Sequence, residues 1–269
     1  MLKDITIGQY IAGSSPLHRM EPRIKIILTI LYIIFLFMIN SPAAYIVCGI
    51  LTAAMIFTAR IPFKMMLKGM KPLLWLFVFT AVINIFMTQG TALWAVKLGA
   101  FELNITYEGI RAAVLLMLRL SFLVMGSSLL TLTTSPLQLA DGIEKLLRPL
   151  KRLKVPAHEI AMMMTIAIRF IPTLGEETEK IMKAQKARGA QLDTGGIFKR
   201  AKAMIPVMVP LFISAFHRAD DLAIAMDARC YNGERRTRMK ETKICASDIA
   251  ACIVFAAGIA VISAAEFLF

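Results

Sequence analysis

Residues 24–59 read IKIILTILYIIFLFMINSPAAYIVCGILTAAMIFTA, and Lys25 is the one charge among them. Two apolar runs, Ile24–Ile39 and Ala43–Ala59, are separated only by Asn40-Ser41-Pro42. A membrane-spanning helix needs about 20 mostly apolar residues, fewer where interfacial groups cushion its ends. Pro22 stands at a suitable first helical position, so the stretch predicts two spans joined in a tight antiparallel hairpin.

The rest of the 269-residue chain agrees. It is 58% apolar and 18% charged with a mean hydropathy of +0.67. Soluble domains are nearer half apolar and a quarter charged, which excludes an ordinary globule, a disordered tail and a disulfide scaffold. Further apolar regions run over Pro72–Met87, from about Gly109 to Thr133, and over Ile249–Phe269. The four cysteines, Cys48, Cys230, Cys245 and Cys252, form no C-x-x-C pair and read as buried hydrophobes in a reducing compartment. No cleavable leader is expected, because the first apolar run is not followed by a small-x-small pattern.

Charge gives the orientation. Lys3, Arg19, Arg23 and Lys25 precede or open the first run, and Arg60, Lys64, Lys68 and Lys71 lie between the second and third, whereas the turn at 40–42 carries no charge. Both basic segments are therefore expected in the cytoplasm, with the amino terminus inside. Residues 88–108 hold one base, Lys97, and their β-branched and aromatic residues around Gly90 and Gly99 fit an external loop with the makings of a small hairpin. The expected organisation is an all-α membrane protein of about five transmembrane helices: four in 1–134, a cytoplasmic domain of three helices in 135–243, and the fifth span in 244–269.

Between Ser135 and Lys243 there are 20 Lys/Arg against 12 Asp/Glu. An amphipathic helix is expected over Leu137–Leu150. A longer one runs from Pro156 to Arg188-Gly189, bent at Pro172, and a third from about Phe198 to Tyr231, interrupted by Pro206 and Pro210. Each long helix has an apolar first part, Ile160–Leu174 with Met162, Met163 and Met164, and Met204–Phe216 with Met208 and Phe212. Both are too short to span and read as pliable surface at or under the bilayer for binding membrane proteins. Tilted spans or re-entrant hairpins are the alternative.

The charged second parts carry the sharpest pattern. One ends Ala187-Arg188-Gly189, the other Ala228-Arg229-Cys230. A small residue lets another surface approach, and a planar, permanently charged guanidinium reaches into an acidic or carbonyl-lined groove. An arginine near one helix end merely complements the dipole, by about 0.3–1 kcal/mol. Two copies on two matched helices make the pattern specific.

Other chemistries lack their residues. There is no P-loop, no G-x-S-x-G and no H-E-x-x-H, and His18, His158 and His217 are isolated, so an enzyme, a bound cofactor or a metal site is not expected in this chain. A secondary transporter or channel of about seven spans would show inverted repeats and paired intramembrane charges, and neither is present. The acids interleaved with the bases argue against nucleic acid. Arg119 falls inside an apolar run, where it serves either as a partner contact or in an internal hydrogen bond, for instance through Asn84.

The chain resembles the transmembrane T component of energy-coupling factor transporters, the EcfT/CbiQ-like vitamin- and metal-uptake branch of ABC importers. The resemblance rests on Glu21-Pro22-Arg23-Ile24-Lys25 ahead of the first span and on both alanine-arginine positions. It implies two long crossed helices whose arginine ends dock into two ATPase subunits, identical or distinct, that bind the ATP and Mg. It also implies apolar surfaces that hold a membrane-embedded substrate-binding S component. Arg188 and Arg229 would be the coupling arginines. The cysteine after Arg229 departs from the pattern, and the second long helix is expected to run on to Asn232-Gly233.

Overall fold

The computed structural model describes residues 10–11, 13–88, 91–98, 101–149, 156–192, 195–231 and 245–268, with backbone alone for 92–98, 101–105, 246 and 267–268. The expected basic run 151–154 and the Asn232-Gly233 stop lie outside the described residues. The chain divides into two compact units: Gly8–Gly142 with Thr242–Phe269, and Ile143–Glu241.

In the first unit, α1 (Pro16–Arg19) is a single turn capped by Ser15, and α2 (Pro22–Met38) and α3 (Pro42–Ala59) form the hairpin, each opening on a proline at its first position. Much of the basic segment between the second and third apolar runs is helical. α4 (Phe63–Met70) continues through a 3-10 turn at Lys71–Leu73 into α5 (Leu74–Met87), one 25-residue rod. Lys64, Lys68 and Lys71 recur at helical spacing while Met66 is buried, so an amphipathic face rather than a loop supplies the charge.

The small hairpin expected within 88–108 forms as two antiparallel strands, β1 (Ala92–Leu98) and β2 (Phe101–Thr106), in an otherwise helical fold. α6 (Tyr107–Thr133) follows, and α10 (Ala246–Leu268) closes the unit. Among the described residues, four helices are long and apolar enough to cross a membrane: Pro42–Ala59, Phe63–Met87, Tyr107–Thr133 and Ser247–Glu266.

The outward faces say what solvent they meet. Phe57 is 82% exposed and Trp75 78%, amid Ile30, Ile34, Ile46 and Ile50 at 51–68%. So wide an apolar surface is untenable in water and natural in lipid. Inside, Tyr32, Leu36, Tyr45, Cys48, Phe255 and Ile262 make one core, and Ile56, Met66, Leu129 and Leu132 a second. Close approach depends on two glycines. A Cβ on Gly126 would run into the Tyr32 ring, and one on Gly258 into the Leu51 side chain.

The boundary between the units falls within α7 (Pro136–Leu147). In the second unit, His158 Nδ1 meets Glu144 Oε1 at 3.2 Å, tying the last turns of α7 to α8 (Ala157–Ala187). α9 (Ile197–Ala228) is the other long helix. Pro172 lies within α8, and Pro206 and Pro210 within α9, without ending either helix.

Candidate functional site

α8 and α9 run antiparallel. Glu177 Oε2 accepts from Arg218 at 2.7 Å, Glu177 Oε1 accepts from the Ser214 hydroxyl, and Gln185 Nε2 donates to the Pro206 carbonyl at 3.4 Å. Residues later in α8 thus face residues earlier in α9. Extending that register along the 1.5 Å rise puts the level of Arg229 near residue 163 of α8, so the two arginine-bearing ends lie roughly 35 Å apart, at opposite ends of the pair.

The two ends are built alike. At the end of α8, Gly189 N–H donates to Lys186 O and Ala190 N–H to Gln185 O, both 3.0 Å. At the end of α9, Cys230 N–H donates to Asp227 O at 2.8 Å and Tyr231 N–H to Met226 O at 3.1 Å. This is the Schellman closure in both places, with Arg188 and Arg229 as the C-cap residues. Gly189 and Cys230 follow with φ of 89° and 55°, in the left-handed region. The expected run-on of the second helix is therefore wrong. It stops at Ala228 because Cys230 adopts the conformation that glycine adopts in the first copy. Ala187, Arg188, Ala228 and Arg229 are all exposed, and neither guanidinium has an ion pair or hydrogen bond among the described residues.

The apolar residues named from the sequence separate. Met163 is 58% exposed while Met162, Met164 and Met204 are half-buried. Met208 and Phe212 belong to a longer stripe, Ile205, Met208, Val209, Phe212, Ile213 and Phe216, each 45–67% exposed. The spacing of three and four puts all six on one face of α9, and its mate Val207 points into the protein, 1% exposed. Tallying periodicity over Met204–Phe216, rather than picking methionines, would have found Ile205, Val209, Ile213 and Phe216.

Arg119 is explained within the first unit. Its Nε donates to the Tyr45 hydroxyl at 2.9 Å, and its terminal nitrogen donates to the Ile39 carbonyl at 2.6 Å and to Asn40 Oδ1 at 3.3 Å. The Asn84 partner is wrong, since that amide bonds Thr80 O one turn back. Arg119 lies about 18 Å along α6 from Tyr107, and at that depth it reaches the closed end of the α2–α3 hairpin. On the hairpin's turn, Glu266 accepts from the backbone N–H of Asn40 and Ser41 at 3.0 and 2.9 Å.

The Glu-Pro-Arg-Ile-Lys stretch makes a matching junction at the other end. Lys25, 6% exposed, donates to His18 O, Thr133 O and Thr134 Oγ1 at 3.1–3.4 Å, which uses all three ammonium protons. Arg23 pairs with Glu21 at 2.8 Å, and buried Asp248 accepts from the Glu21 and Cys245 amides. The sequence marked Lys25 as an orienting charge and as part of the stretch ahead of the first span, without its buried partners.

Residues 13–240 match the family described as "Cobalt transport protein". The chain is 55% identical over 250 residues to the energy-coupling factor transporter transmembrane protein EcfT of Ruminiclostridium cellulolyticum, covering 93% of this chain and 92% of that one. It is 52% identical to the Clostridium kluyveri protein of the same name, over 94% and 93% of the two chains, and 44% identical to that of Bacillus subtilis, over 90% of each. The chain belongs to the family of energy-coupling factor transporter transmembrane proteins. It is thus a multi-pass membrane component of a transport complex with other subunits.

Proposed function

We propose that this chain is the non-catalytic scaffold of an energy-coupling factor importer, linking two ATPase subunits to a substrate-binding S component that takes up a vitamin or micronutrient. The 17-residue α2 serves as the fifth span beside the four longer ones. The amino terminus is cytoplasmic, and the three regions are 1–134, 135–243 and 244–269. ATP and Mg belong to the partners. Arg188 and Arg229 each seat in a groove of one ATPase, with Ala187, Gly189, Ala228 and Cys230 giving clearance. When ATP draws the two grooves together, α8 and α9 pivot on each other and tilt the S component held on the α9 stripe. Such coupling is reciprocal: substrate release and nucleotide closure shift each other's equilibria equally.

The observation that carries this reading is the repeated cap, with two exposed, unpaired guanidinia in the same local geometry roughly 35 Å apart. A dipole-complementing arginine needs neither the second copy nor the exposure. The stripe is sufficient for its part, since burying a side chain of this size contributes about 1.5–3 kcal/mol before the costs of association.

Arg188→Ala or Arg229→Ala is expected to weaken ATPase docking by about 2 kcal/mol, roughly thirtyfold. In the same co-purification, Phe212→Glu is expected to lose the S component and keep the ATPases. Wild-type ATPase yield with unimpaired uptake in both arginine variants would overturn the assignment.

A further inference from the structure

The first unit contains a cavity of about 410 Å3, a usual size for a small-molecule site. Leu51 packs against Gly258 where α3 and α10 touch, and from there toward Lys25 the two helices frame an opening with Ala54 and Thr58 on one rim and Ala250 and Val254 on the other. All four rim residues are exposed, so the cavity opens sideways. Its walls are nearly all hydrocarbon, from Leu28 and Tyr32 on α2 and Leu129 on α6, and Leu17 of α1 and Met20 just after it close the end.

The charges at that closed end are one-sided. Arg19 on α1 and Arg60 at the end of α3 are both exposed, neither has an ion pair among the described residues, and α1 packs against α3. Nearby acids are already committed, Glu21 to Arg23 and Asp248 to two backbone amides. Lys25 lines the wall but has spent its three protons on protein oxygens, so it is no headgroup ligand.

We propose that this wedge is a binding site for one anionic phospholipid, with an acyl chain between α3 and α10 and the phosphate between Arg19 and Arg60. An apolar slot open to the side of a membrane helix bundle fills with hydrocarbon, and two unpaired guanidinia at headgroup level select negative charge. The site belongs to the first unit and does not involve the arginine ends of α8 and α9. It stands or falls separately from the coupling reading.

Native mass spectrometry of the delipidated full chain in detergent, titrated with palmitoyl-oleoyl phosphatidylglycerol, the matching phosphatidylcholine or oleate, tests it. One phosphatidylglycerol per chain is expected to bind roughly tenfold more tightly than phosphatidylcholine or oleate. Arg19→Gln/Arg60→Gln should abolish that preference. Ala251→Phe or Ala54→Phe, which fill the slot from opposite walls, should each lose the bound lipid in whichever variant keeps the wild-type unfolding temperature. Equal retention of all three ligands, or an unchanged preference in the double arginine variant, would overturn the proposal. So would displacement of the lipid by a co-assembled membrane subunit, which would make the slot a protein interface.

Discussion

Acid acts on His18 through two hydrogen bonds at once. Nε2 meets the Ile11 carbonyl at 3.1 Å, so that nitrogen carries the proton, and Nδ1 is left to accept from the Ser15 hydroxyl at 2.6 Å. The neutral ring satisfies both contacts. Burial lowers its pKa from the usual 6.5, the Ile11 bond works the other way, and the charge of Lys25 lowers it further; the edge of Tyr10 covers the ring. The unfolded chain therefore takes up the proton first. The group's contribution to stability is complete above about pH 6.5 and drains away as pH falls below it. His18→Gln should flatten that limb in a pH series of unfolding temperatures, and an equally steep limb would refute the assignment. Arg119 makes a second prediction at this scale. Placing an arginine inside a span costs about 2.5–3.5 kcal/mol on insertion scales, while each hydrogen bond from a charged donor returns about 1.5–3. Its three bonds therefore cover the cost, and Arg119→Leu is expected to destabilise the detergent-solubilised protein by about 1–3 kcal/mol, because the Tyr45 hydroxyl loses its donor and the Ile39 carbonyl is left with the Tyr45 hydroxyl alone. Tyr45→Phe should cost less. Wild-type stability for Arg119→Leu would return the residue to the role of partner contact.

At the scale of the element, the two long helices end in the same closure with different residues. A left-handed Cys230 is worse than a glycine there by about 1–2 kcal/mol, the general price of a Cβ in that region. Cys230→Gly should accordingly raise the unfolding temperature, and Gly189→Ala should lower it by a comparable free energy. Opposite signs in paired melting curves are the signature, and a destabilised Cys230→Gly would mean that the thiol itself has a contact. The same cap shows where sequence reading reaches its limit. Apolar runs located the four helices long enough to cross a membrane, and the alanine-arginine repeat located both exposed ends. The stop at Ala228 was not legible, because cysteine carries no signal for a left-handed cap and only the hydrogen bonds reveal one. Nor was the helix within the basic stretch 60–71 recognisable, since its lysines served only to orient the spans and the burial of Met66 is what shows the amphipathic face. The partners of Arg119 are far off in sequence, at Ile39, Asn40 and Tyr45, and no local pattern points to them.

For the molecule as a whole, the orientation decides whether the guanidinium ends can meet ATP-driven subunits at all, and the chain carries its own reporters. Cys230 stands beside Arg229 and Cys245 just ahead of α10, both exposed, while Cys48 is buried and Cys252 is half-buried within α10. With the basic segments inside, a membrane-impermeant maleimide should leave intact cells almost unlabelled and modify two cysteines per chain in inside-out vesicles. The two sites then part company when the ATPases are present. Docking at Arg229 covers Cys230 and slows its reaction, whereas Cys245, 16 residues on, keeps its rate. Labelling from outside would place the helix ends across the bilayer from ATP. Unchanged protection at Cys230 with inside-only labelling would preserve the orientation and remove the ATPase contact, so the experiment separates the topology from the coupling built upon it.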